Sequence, residues 1–72
     1  MKYKSIVHGE NEVEELTKER TRFLLKGCYK EEAVDDLIDN EKGFYLRTMT
    51  RDIWTETEDG LVPLPGFYGV VG

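Results

Sequence analysis

The sequence predicts a single small α+β domain over residues 1–72, in the order β-α-α followed by an antiparallel β-hairpin or a three-stranded sheet. Three observations support this fold class. The chain opens on a short alternating stretch, two segments with helical spacing of apolar residues follow, and β-branched and aromatic residues dominate after Phe44. The 72 residues suit one domain with a modest core.

The first strand and the first helix are predicted from adjoining patterns. Tyr3 to His8 alternates and is bounded by Gly9, as in a short strand. Asn11 supplies an N-cap before an acidic turn, and apolar residues recur at helical spacing up to Gly27. We therefore expect a helix from about Glu12 to Lys26 that Gly27 ends in the left-handed conformation. Its core-facing residues would be Val13, Leu16, Phe23 and Leu24.

The second helix contains most of the acidic character of the chain. Between Cys28 and Glu41 there are six acidic residues and one base, Lys30, so this segment has the net charge of the whole protein, −5. Apolar residues at helical spacing predict a helix to about Asn40, closed at Gly43. The buried side would hold Ala33, Val34, Leu37 and Ile38, and the exposed side Glu31, Glu32, Asp35, Asp36 and Asp39.

The remaining chain is predicted to form the sheet. Phe44 to Thr57 is one long strand or two, and Asp59-Gly60 is a hairpin signal that precedes a returning strand over Leu61 to Leu64. Pro63 and Pro65 would place that strand at an edge. The residues that the sheet contributes to the core would be Leu46, Ile53 and Trp54.

The apolar tail from Gly66 to Gly72 has two interpretations. Its four large apolar residues favour an ordered strand, because leaving them in water forfeits their burial. The strand either completes the protein's own sheet or adds to the sheet of a second copy or a partner. The residues concerned are Phe67, Tyr68, Val70 and Val71.

Composition disfavours several functional classes. An acidic chain does not attract nucleic-acid phosphates, and the one cysteine, Cys28, suits a reducing cytoplasm without disulfides or structural zinc. No stretch resembles a signal peptide or a membrane span. The acidic spacing is unlike a calcium loop, and neither a metal nor a cofactor is expected. His8, Cys28 and Ser5 form no nucleophile pattern, and we expect a buried Cys28 thiol and a surface His8.

These observations predict a small non-enzymatic, intracellular regulator or inhibitor, of the kind that phages and mobile elements encode, that binds a basic protein surface. The predicted partner-binding residues are Glu31, Glu32, Asp35, Asp36, Asp39, Phe67 and Tyr68. Three alternatives stay open. Arg47 and Arg51 could serve a winged-helix-like nucleic-acid-binding regulator, the tail could build a homodimer or assembly subunit, and the acidic face could simply be solvated.

Overall fold

The computed structural model describes residues 1–56 and 66–71, with the side chain of Val71 left out of the description. Five strands form one antiparallel sheet, and two helices connect its second and third strands. The elements are β1 (Lys2–Val7), β2 (Val13–Leu16), α1 (Lys18–Lys26), α2 (Glu31–Asp39), β3 (Gly43–Arg47), β4 (Arg51–Glu56) and β5 (Gly69–Val71). The strand order is β2-β1-β4-β3-β5, and the predicted α+β class is confirmed.

The centre of the sheet is the pair formed by β1 and β4. Their register runs from Lys2 opposite Glu56 to Val7 opposite Arg51. Strand β2 extends the sheet on the β1 side, and β3 followed by β5 extends it on the β4 side. The start of the chain is thereby joined to a segment more than forty residues away.

The hydrophobic core lies between one face of the sheet and the two helices. Side chains of a strand alternate between faces, so Tyr3, Phe44 and Ile53 all point to the helical side. The buried hydrophobic residues are Tyr3, Leu25, Val34, Leu37, Ile38, Phe44, Leu46 and Ile53. Leu16 and Leu24 pack against them while partly buried. The assignments of Val34, Leu37, Ile38, Leu46 and Ile53 to the core are therefore confirmed, whereas Ala33, expected on the buried side of the second helix, is exposed.

The predicted first helix is wrong in its first half. Val13–Leu16 is strand β2, with Leu16 opposite Tyr3 and Val13 opposite Ile6. The helix begins at Lys18, and its N-cap is Thr17, whose hydroxyl accepts a hydrogen bond from the Arg20 N–H at 3.1 Å. Pairing with β1 supplies backbone partners that a helical turn would otherwise provide, so tertiary structure overrides the local pattern.

This shift changes the buried side of α1. Thr21 and Leu25 are buried, whereas Phe23 is 68 % exposed and Val13 lies exposed on β2. Trp54, also assigned to the core, is half-buried on the opposite face of the sheet. The predicted buried residues of the helix were wrong because the predicted helix began at about Glu12, whereas α1 begins at Lys18.

The helix ends also differ from the prediction. Gly27 has right-handed angles, with φ of −69°, and α1 ends through hydrogen bonds from Cys28 and Tyr29 to the Leu25 carbonyl. The left-handed residue instead follows α2, where Glu41 has φ of 50°. The Lys42 N–H donates to the Leu37 carbonyl at 3.0 Å, which closes the helix before Gly43.

The sheet region forms two strands, β3 and β4, joined by a turn at Thr48. The predicted hairpin at Asp59-Gly60, with its returning strand and its prolines, lies outside the described residues. The tail forms a strand over Gly69–Val71, where Val70 stands opposite Phe44 of β3 in the same chain, but Phe67 and Tyr68 precede the strand. Neither of the two described helices is long and apolar enough to cross a membrane.

Truncation of two phenylalanines should separate the core from the surface. Phe44→Ala removes a fully buried ring and should lower the free energy of unfolding by about 3 to 5 kcal/mol. Phe23→Ala, on an exposed position of α1, should change it by no more than about 0.5 kcal/mol. Urea denaturation followed by circular dichroism measures both, and equal losses would contradict the described core.

Candidate functional site

Helix α2 lies on the sheet with its carboxylates in two rows. Val34, Leu37 and Ile38 are buried, which directs the remaining residues sideways and outward. One row, spaced at i, i+4 and i+8, faces α1 and is called here the inner row; it comprises Glu31, Asp35 and Asp39. The outer row, Glu32 and Asp36, lies on the side of the helix away from α1.

The inner row forms ion pairs with two bases of α1. Arg22 Nη1 lies 2.7 Å from Asp35 Oδ1, and Arg22 Nη2 lies 2.8 Å from Asp39 Oδ1. Lys26 Nζ lies 3.3 Å from both Glu31 and Asp35. The later base on α1 pairs with the earlier acids on α2, so the two helices run antiparallel.

The carboxylates of the inner row and the bases of α1 stabilise each other's charged forms. Hydrogen bonding to Asp39 raises the pKa of Arg22 above its ordinary value despite partial desolvation. Desolvation opposes ionisation of Asp35, but its contacts with Lys26 and Arg22 outweigh that cost, and the pKa of Asp35 is lowered. Most of the predicted acidic face is thus engaged within the protein.

The outer row keeps more of its charge available. Asp36 contacts Lys42 Nζ at 2.6 Å and Asn40 Nδ2 at 2.5 Å, and the hydrogen bond from Lys42 is the main reason that the pKa of Asp36 is lowered. Glu32 is exposed and makes no ion pair with any described residue. The five carboxylates of α2 meet three bases, Arg22, Lys26 and Lys42, which leaves two negative charges in excess.

An apolar groove of about 430 Å³ borders the outer row. It lies between α2 and the β3–β5 side of the sheet, and Tyr29 stands at its margin with its hydroxyl donating to the Arg47 carbonyl at 2.8 Å. The lining residues are Tyr29, Ala33, Asp36, Leu37, Lys42, Leu46 and Val70. The groove therefore combines an apolar floor with a carboxylate on its rim.

The two remaining predicted site residues lie on the other face of the sheet. The Tyr68 ring packs edge-on against Tyr45 with centroids 5.3 Å apart, and the Arg47 guanidinium lies 4.5 Å from the Tyr68 centroid. The Phe67 ring covers Gly69, where an added Cβ would come within 3.1 Å of it. The structure thus does not bring Phe67 and Tyr68 together with the acidic residues.

Sequence reasoning missed a polar cluster around Asp52 on that open face. The Asp52 side chain is only 12 % exposed, and its Oδ1 lies 2.8 Å from His8 Nε2 and 3.2 Å from Arg47 Nε. The Tyr68 hydroxyl donates to Oδ2 at 3.4 Å and is also in contact with Arg47. The pairing of Arg47 with Asp52 across the β3–β4 hairpin was the available indication, because residues directly opposite share a face.

The other singled-out residues are dispersed. Ser5 is buried on the helical side, where Arg51 Nη1 contacts it at 3.3 Å, while His8 pairs with Asp52 on the opposite face. Cys28 is exposed at the corner between the helices, so the expected buried thiol is wrong. Within the described ranges, no three His, Cys, Asp or Glu side chains are grouped as metal ligands would be.

The chain matches no protein-family model, no curated protein and no solved structure. Inferences about its function consequently depend on its own geometry.

Acid should destabilise the protein partly through Asp52. Burial opposes its ionisation, but hydrogen bonds from His8 and Arg47 outweigh burial, and its pKa lies below the ordinary 3.8. The carboxylate therefore contributes stability above that pH, and the contribution is lost as the pH falls through 3.8 towards the folded-state pKa.

Asp52→Asn should lower the free energy of unfolding at neutral pH by about 1 to 3 kcal/mol, since it weakens charge-assisted hydrogen bonds. The difference from the wild type should shrink well below pH 3.8. Urea denaturation across a pH series measures this, with Glu12→Gln at an exposed position as the control. A difference that is constant with pH would contradict the assignment.

Proposed function

We propose that the protein is an intracellular, non-enzymatic regulator or inhibitor that binds a basic surface of a protein partner through the outer row of α2 and the adjoining groove. The observation that carries this proposal is the division of the acidic helix. Arg22 and Lys26 of α1 contact all three carboxylates of the inner row, while Asp36 lines an apolar groove and Glu32 lies one helical turn before it. Charge and apolar surface next to each other are typical of a protein-binding site.

The ion pairs of the inner row support this role indirectly. They fix α2 against α1, and the Asp36 contacts with Lys42 and Asn40 hold one carboxylate in place. A binding surface that is already ordered loses less conformational entropy on association. The excess charge would steer a basic partner towards the helix and accelerate encounter.

The proposed surface is narrower than the one that the sequence suggested. Glu32 and Asp36 lie on it, whereas Asp39 pairs with Arg22 in the inner row, and Phe67 and Tyr68 belong to the opposite face of the sheet. The nucleic-acid alternative gains no support, because its two arginines do not share a surface. Arg47 contacts Asp52 on the open face, and Arg51 contacts Ser5 and Glu14 on the helical side.

Charge reversal at Glu32 tests this function. Glu32→Lys removes a carboxylate that has no described ion pair, so it should weaken partner binding several-fold, by about 1 kcal/mol or more, without unfolding the protein. Glu19→Lys is the matched control, because it makes the same charge change in the first turn of α1. Since the helices are antiparallel, the two first turns lie at opposite ends of the helix pair.

The measurement is affinity capture from the native host with the tagged chain, quantified by mass spectrometry. We expect a partner that the wild type and Glu19→Lys retain, that Glu32→Lys loses, and that rising salt releases. Equal capture by the two variants, or capture that is insensitive to salt, would contradict the proposal.

A further inference from the structure

Strand β5 has an outer edge beside the groove that is unpaired within residues 1–56 and 66–71. It is the last strand of the sheet, and no described strand pairs with its outer side. The Phe44 N–H donates to Thr55 Oγ1 of β4 at 3.0 Å, so it points away from β5. In an antiparallel pair, the backbone N–H and C=O groups of two directly opposite residues point either towards each other or away from each other. Val70 is opposite Phe44, whose N–H points away from β5, so the N–H and C=O of Val70 point to the outer edge.

The same residue connects this edge to the groove. The Val70 side chain lines the groove together with Leu37 and Leu46 and is 50 % exposed. A strand added to β5 would direct every second side chain into the groove, because side chains opposite Val70 share its face. The edge offers main-chain hydrogen bonds, and the groove offers side-chain contacts, which together are the requirements for binding by strand addition.

The charge of the rim restricts what can bind there. Asp36 lies in the groove wall, where Lys42 pairs with it, and Glu32, which has no ion pair with any described residue, is one helical turn before it. A lysine or arginine in the added strand could lay its aliphatic stem over Ala33 and bring its charge to these carboxylates. A second copy of this chain would bring another acidic helix to the same rim, and the repulsion disfavours a homodimer formed in this way.

We propose that the outer edge of β5 and the adjoining groove bind an extended segment of a partner protein, with apolar and basic side chains at alternate positions on its groove-facing side. The inference rests on the proposed function for its choice of a basic partner and adds the mode of binding. Main-chain pairing with Val70 holds the segment in place, and the outer row of α2 selects its charge.

A designed peptide tests the inference on the intact protein. The probe is a capped peptide with the sequence Thr-Lys-Thr-Val-Thr-Lys-Thr, in which lysine, valine and lysine would face the groove. The matched control replaces both lysines with glutamate. Titration followed by NMR should shift the amide signal of Val70 and give a dissociation constant about tenfold or more lower for the lysine peptide, with the ratio decreasing as salt is added.

Backbone methylation of the peptide separates strand addition from simple charge attraction. In one peptide the central valine nitrogen is methylated, and in the other the preceding threonine nitrogen is methylated. In a strand paired with β5, one of these N–H groups points to Val70 and the other points away. We expect one methylated peptide to lose binding about tenfold or more and the other to bind as the parent does.

The outcomes distinguish the two proposals. Equal effects of the two methyl groups on binding would overturn strand addition but would not contradict the proposal of a basic partner. Equal binding of the lysine and glutamate peptides would overturn the selection of a basic partner. Absence of binding by the lysine peptide would overturn the inference and indicate that the edge is not used for binding. A protein mass that doubles as the concentration rises, and that returns to the monomer mass in Val70→Pro, would overturn it in favour of self-association.

Discussion

The antiparallel pairing of β1 with β4 is the constraint on which the other elements depend. Six residue pairs join Lys2–Val7 to Arg51–Glu56, while β2 pairs with β1, β3 pairs with β4, and β5 is attached through β3. Because this pair fixes which side chains face the helices, it places Tyr3 and Ile53 in one core and sends Trp54 to the other face. Contacts so distant in sequence require closure of a long loop, which makes β1–β4 pairing the entropically demanding step of folding.

The acidic helix is compatible with this fold because α1 supplies the opposite charge. Arg22 bridges two carboxylates of α2 and Lys26 bridges two, so four ion-pair contacts join the antiparallel helices in addition to their buried apolar side chains. Exposed ion pairs contribute little individually, but pairs that share bases restrict the position of the helix. The outer row, which has two carboxylates and only Lys42 as a base among the described residues, keeps one uncompensated charge on the side of the helix that borders Leu37 and Val70.

The sequence was informative where structure is local. The apolar spacing of Val34, Leu37 and Ile38 predicted α2 and its buried side, and the apolar tail predicted a strand that β5 confirms. Val13–Leu16 was predicted as helix because its charged residues suit a helix equally well, and only pairing with β1 decides for a strand. The Arg47–Asp52 pair lies across a local hairpin, but His8 and Tyr68 join it from distant segments, and the groove likewise combines separate elements. The full cluster and the groove therefore depend on a strand order that no local pattern contains.

The stacking of Tyr45 on Trp54 gives the molecule an optical property of practical value. Trp54 is the single tryptophan, and its ring lies 5.5 Å from that of Tyr45 with planes 11° apart. Its fluorescence therefore reports on the β3–β4 hairpin and on the open face of the sheet, while the groove, with Tyr29 at its margin, lies on the opposite side. Emission at tryptophan wavelengths consequently follows the integrity of the β3–β4 hairpin on the face of the sheet away from α2.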